Sequence, residues 1–288
     1  MYAFDFHRAT SARNAANLLA NLDDAKLLAG GQTLLPTMRL RLASPAHIVD
    51  LSGVPEMRGI ERKGRSVVIG AMTTHAEVES SALVREAIPG LAEMAHVIGD
   101  PQVRHLGTLG GSVANNDPSA DYPAACLALD AIIVTNKRKV AAEDFFQGLF
   151  TTALEEGEIV MRVAFRIPAR MAYEKFRNPA SRYALAGVCV AKRGPQVRVA
   201  VTGAGGEGVF RWAEAEAALG ARFHPKSLAG LAMDEGRMAG DIHADAAYRA
   251  QLVGVMARRA VERARSRPVS AAAIEAESEA VTGAGSPE

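Results

Sequence analysis

Residues 29–33 read Ala29-Gly30-Gly31-Gln32-Thr33, and residues 108–112 read Thr108-Leu109-Gly110-Gly111-Ser112. Paired glycines admit left-handed backbone and leave no Cβ in the way, so consecutive N–H groups can turn toward one anion. Thr33, Thr108 and Ser112 add hydroxyls at the same places. Each segment alone also fits a plain turn from strand to helix. Two in one chain say more, because one phosphate needs one nest while a diphosphate can be gripped from two sides. The second segment continues as Val113-Ala114-Asn115-Asn116-Asp117-Pro118-Ser119-Ala120-Asp121, a dense run of short polar side chains that also makes a good turn.

Other chemistry-bearing patterns are weaker. Gly203-Ala204-Gly205-Gly206-Glu207-Gly208 matches the dinucleotide fingerprint G-x-G-x-x-G. A Rossmann unit needs a second parallel strand some twenty residues on, and the stretch from Ala221 to Ser227 has little strand character, so a loop is expected. The seven histidines show no metal spacing, and there is no G-x-S-x-G nucleophile elbow. Cys126 and Cys189 lie in Ala-rich apolar settings and are expected to be buried, inert thiols. Two cysteines cannot hold an iron–sulfur cluster or a four-cysteine zinc site. Arg258, Arg259, Arg263, Arg265 and Arg267 cluster near the end and read as a solvated or subunit-contacting face.

The elements that must position these residues follow from periodicity. Ser11 caps a helix that runs to Leu22; Lys26–Ala29 is a buried strand, Leu34–Leu42 a helix, and Ala46–Leu51 a second strand, which suggests a small parallel α/β unit. A hairpin follows around Lys63-Gly64-Arg65, then one acidic helix, HAEVESSALVREA, from Thr74, and another from Leu91 to Ile98. Ile132–Val134 and Val163–Ile167 are strands. Beyond Pro168 come Ala172–Phe176, Tyr183–Ala191 and Val197–Thr202 as strands, then helices over Trp212–Leu219 and Ala246–Arg265. From Pro268 the chain is rich in Ala, Ser, Glu and Gly, with no Lys or Arg, and reads as a mobile or partner-clinging tail. The 288 residues carry 33 Lys and Arg against 32 Asp and Glu, a balance that argues against nucleic acid as partner. No apolar run is long enough to span a bilayer and none reads as a signal peptide, so a cytoplasmic protein is expected.

Three segments in order, AGGQT near 30, TLGGSVANNDPSADYPAA near 108 and YEKF…SRYALAG near 173, resemble the FAD-binding medium subunits of the molybdenum hydroxylases, the xanthine dehydrogenase family. Among these the chain is most similar to the medium subunit of aerobic carbon monoxide dehydrogenase. The resemblance implies an α+β fold of the vanillyl-alcohol-oxidase (PCMH) type, with FAD-binding subdomains over 1–52 and 53–170. A flavin-covering domain with antiparallel sheet and helices over 171–267 and the tail 268–288 complete it. It places Ala29, Gly30, Gly31, Gln32 and Thr33, with Thr108, Leu109, Gly110, Gly111 and Ser112, around the FAD diphosphate, and Asn115 at the same site. Asp121 then hydrogen-bonds the cofactor, Lys175 lies near the flavin edge, and Tyr183 covers one flavin face, where the bare residue also fits a core strand. Relatives more often have His-Ser where Gln32-Thr33 stands, and Asn where Ser112 stands.

The implied partners are a large subunit with the molybdenum cofactor and a small subunit with two [2Fe–2S] clusters, in a dimer of heterotrimers. Electrons would reach FAD singly from the nearer cluster and leave to an external acceptor such as a quinone, a cytochrome or NAD. The chain itself would hold no metal and no catalytic side chain. The competing reading is a stand-alone FAD oxidoreductase with its own small-molecule substrate.

Overall fold

The computed structural model describes residues 1–267; the expected tail from Pro268 lies outside them. The first unit runs β1 (Asp5–Arg8), α1 (Ala12–Asn21), β2 (Ala25–Leu28), α2 (Leu34–Arg39) and β3 (His47–Asp50), with the three strands parallel in the order β1-β3-β2. Ser11 caps α1 by accepting from the Asn14 N–H, as its side chain suits it to do. The second helix stops earlier than its apolar pattern suggests, because Arg41 takes φ +61 just past it. Strand β1 carries no alternation of apolar residues; it forms because β3 offers a free edge.

The second unit opens with the expected hairpin, β4 (Ile60–Lys63) and β5 (Ser66–Gly70), which turns at Gly64 with φ +56. Six helices follow: α3 (His75–Ser80), α4 (Ala82–Ala87), α5 (Pro89–His96), α6 (Pro101–Leu106), α7 (Leu109–Asn115) and α8 (Tyr122–Ala128). After them come β6 (Ile132–Thr135), β7 (Lys139–Ala141), α9 (Ala142–Phe145), β8 (Phe146–Gly148), β9 (Thr151–Thr152) and β10 (Val160–Arg166). The antiparallel sheet has the order β4-β5-β10-β6-β7. The single acidic helix expected from Thr74 is two: Ser81 sits in extended backbone, and its hydroxyl accepts from the Val84 N–H, ending α3 and starting α4. Competition of a serine hydroxyl with the helical ladder accounts for the break.

The third unit holds β11 (Arg170–Arg177), β12 (Ala184–Arg193), β13 (Gln196–Thr202) and β14 (Phe210–Arg211) in one antiparallel sheet, then α10 (Ala213–Ala221) and α11 (Ala246–Ser266). Gly203–Gly208 leads into β14 rather than into a helix, so the dinucleotide fingerprint is a loop here. One apolar core joins the first two sheets and reaches Tyr173 and Cys189; a second lies between the third sheet and α10 and α11. Cys126 and Cys189 are free and fully buried, and burial pushes both thiols up in pKa. Arg263 bridges Glu93 and Glu174, and Arg267 also reaches Glu93, so these two arginines tie α11 to the second unit while Arg259 and Arg265 stay exposed. No helix among the described residues is long and apolar enough to cross a membrane.

Candidate flavin site

A cavity of about 680 Å³ opens between the units, well within the size of small-molecule sites. Its walls are the loop 29–33 with the start of α2, the loop and helix 107–115, Asp117 to Asp121, the Ile98–Val103 bend, and Ser181 to Tyr183. The two glycine segments therefore do meet, and the glycines explain how closely. A Cβ on Gly30 would stand 2.1 Å from the Leu106 carbonyl oxygen, and one on Gly110 would stand 2.3 Å from the Ala71 Cβ. A Cβ on Gly111 would meet Thr108 Oγ1 at 2.9 Å and the Ala29 Cβ at 3.5 Å, between the two segments.

Their backbone amides are in opposite states. In the first segment, the N–H groups of Gly30, Gly31, Gln32 and Thr33 find no acceptor among the described residues, and Gly31 holds φ +70. In the second, every amide from 109 to 112 is taken: Leu109 donates to Thr73 O, Gly110 to Ala71 O, Gly111 to Thr108 Oγ1, and Ser112 to Thr108 O. The expected grip by amides from both sides is therefore corrected. The first loop has amides to offer, while the second segment can offer side chains, with Ser112 and Asn115 lining the cavity.

Asp121 lines the cavity and is 5% exposed. Its Oδ1 accepts from the Tyr173 hydroxyl at 2.5 Å and from Lys175 Nζ at 2.9 Å, and Oδ2 accepts from Lys175 at 3.1 Å. Lys175 is buried behind Asp121, outside the lining, as is Leu109, which is wholly core. The remaining expected site residues all line the cavity. Tyr183 stands just before β12 at the mouth and is 45% exposed, so it is not a core tyrosine.

Spacing alone did not reveal three further residues. Among the described residues the Asp117 carboxylate accepts only from the Ser119 N–H, and burial, with the Asp121 charge nearby, raises its pKa. His75 lines the cavity, and its buried Nδ1 has no hydrogen-bond partner. Burial, then the Arg104 charge, lowers it to about 4, which keeps the ring neutral. Tyr173 holds Asp121 from behind, and burial followed by the Asp121 charge raises its pKa. Only the NNDPSAD run carried a signal for Asp117; the other two depend on chain folding back over long separations. Among the described residues no group of three His, Cys, Asp or Glu side chains is gathered to hold a metal.

Unclaimed amides beside a glycine cradle, a free polar wall and an orphaned imidazole nitrogen suit a ligand that combines an anionic group with an extended polar body. FAD has that chemistry, and the residues present fit it. Residues 2–170 match the family described as the FAD binding domain in molybdopterin dehydrogenase. The chain belongs to this family. It is 38% identical over 284 residues to the carbon monoxide dehydrogenase medium chain of Hydrogenophaga pseudoflava, covering 92% of this chain and 98% of that one. To the nicotine 6-hydroxylase medium subunit of Paenarthrobacter nicotinovorans it is 36% identical, over 89% of this chain and 95% of the relative. Reconstituted CO dehydrogenase from Oligotropha carboxidovorans contains a chain of similar structure, with a TM-score of 0.85 at 37% identity, covering 92% of this chain and 99% of that one. The family's FAD-binding match ends at 170, where the second sheet gives way to the third.

Proposed function

We propose that this chain is the FAD-carrying electron-transfer subunit of a molybdenum hydroxylase, with a large molybdenum-cofactor subunit and a small iron–sulfur subunit as partners. The observation that carries this reading is the unclaimed amide row at 30–33, facing the polar wall of 112–121 in one cavity. The amides of Gly30 to Thr33 would hold the diphosphate, and Ser112 and Asn115 would hydrogen-bond the polar chain. Tyr183 would meet the ring system at the mouth, and Lys175 and Tyr173 fix the Asp121 carboxylate. Neutral His75 keeps a positive charge off that wall. Bound FAD supplies redox chemistry that takes electrons singly and gives them up in pairs. No side chain of this chain is assigned a covalent or acid–base step.

Relatives of nearly equal identity are named for carbon monoxide and for nicotine, which supports a substrate chosen on another subunit. A quinone, cytochrome or NAD as acceptor, assembly as a dimer of heterotrimers, a cytoplasmic location and the division at 52 and 170 complete the proposal. The test mixes the purified, FAD-loaded chain with candidate substrates and a dye acceptor, with and without the two partner subunits. Dye reduction only in the complete mixture is expected; reduction by this chain alone overturns the relay and establishes a stand-alone oxidoreductase.

A further inference from the structure

Away from the cavity, the parallel pairing of β1 with β3 brings two imidazoles together. Asp5 is in register with His47 and His7 with Val49, so Asp5, His7 and His47 share one face of the sheet. His7 Nε2 lies 3.1 Å from His47 Nδ1, the rings are tilted by 55°, and Asp5 Oδ2 lies 3.7 Å from His47 Nδ1. Asp5 is exposed and both histidines are partly so, which leaves room for water. None of the three is part of the flavin cavity.

We propose that His7 Nε2 and His47 Nδ1 chelate a divalent late first-row cation of the zinc, nickel or copper type. Two imidazole nitrogens bound to one such ion at about 2.0–2.1 Å each stand about 2.8–3.4 Å apart for bond angles near 90–110°. The observed separation falls in that interval. In the metal-free protein the same contact is a hydrogen bond between two rings, and at a surface such a bond is worth little against water. On binding, the proton between the two nitrogens moves to the far nitrogen of its own ring, so both lone pairs face the ion. Imidazole selects this class of ion over magnesium or calcium, which take oxygen ligands. Asp5 stands one step out, where it adds negative charge and accepts from a metal-bound water. The ion would join β1 to β3 and stabilise the edge strand that lacks an apolar pattern of its own.

The test is calorimetric titration of the tag-free, FAD-loaded chain with nickel chloride and with zinc chloride in a non-coordinating buffer at pH 7.5. One site is expected, weakened at least about tenfold in His7→Gln and in His47→Gln, and by a smaller factor in Asp5→Asn. Flavin content checks that each variant is folded. Thermal unfolding should rise with added metal in the parent and not in the histidine variants. Absence of binding at millimolar metal overturns the proposal, and so does binding of equal strength in folded His47→Gln. Neither result bears on the flavin reading.

Discussion

Asp121 meets the cavity with its charge already answered from behind, because Lys175 reaches both of its oxygens and Tyr173 one of them. Removing one partner of such a buried pair leaves the other charge uncompensated, which costs about 3–5 kcal/mol. Lys175→Met should therefore lower the unfolding free energy measured by urea denaturation by about 3–5 kcal/mol, and adding Asp121→Asn should return most of it. An unchanged midpoint in Lys175→Met would show the pair to be inert. Gly111→Val is expected to differ in kind: its branched side chain fills the space between Thr108 and Ala29, so the chain folds but retains no FAD, as flavin absorbance per protein will report. Both paired-glycine segments were legible as residue types at a spacing. Which amides stay free was not, since it depends on Ala71 and Thr73 offering their carbonyls from a strand end more than thirty residues earlier.

Helix α3 begins with a capping box in which Thr74 Oγ1 accepts from the Glu77 N–H and Glu77 accepts from the Thr74 N–H. Thr74→Ala should cost about 1 kcal/mol of stability by thermal unfolding. Because His75, the next residue, lines the cavity, FAD should also dissociate faster from this variant, which stopped-flow fluorescence can follow. Helix starts of this kind were readable at Ser11 and Thr74, where a hydroxyl precedes apolar periodicity. The split at Ser81 was not, because the apolar spacing of HAEVESSALVREA continues across a residue whose hydroxyl prefers to cap. Strand β1 was missed for the opposite reason: its four residues have no pattern, and only pairing with β3 makes them a strand. Tyr183 is placed by an element of the third unit, where Asn178 Oδ1 accepts from the Ala180 and Ser181 amides and Arg182 reaches the Gly99 carbonyl across the mouth.

Across the molecule, the third sheet steadies the cavity wall: the Thr202 hydroxyl donates to the carbonyls of Pro118 and Ala120, and the Gly203 N–H donates to Pro118 O. Acid should loosen this arrangement through His75. The unfolded chain takes up a proton near 6.5, while the folded chain refuses it until about 4, so stability is full above that window and falls as pH drops into it. For this group alone the loss is about 2 kcal/mol between pH 8 and pH 5. Urea unfolding at the two pH values measures it, and His75→Leu should flatten the difference; an equal slope in that variant assigns the effect elsewhere. The two glycine segments also differ in how firmly their backbones are held. The second is fastened by the chain's own carbonyls and the Thr108 hydroxyl, whereas the first has four amides with no acceptor among the described residues. The consequence is an uneven protection from solvent: in the flavin-free chain the amides of 30–33 should exchange with deuterium well before those of 109–112, and FAD should slow the first set far more than the second.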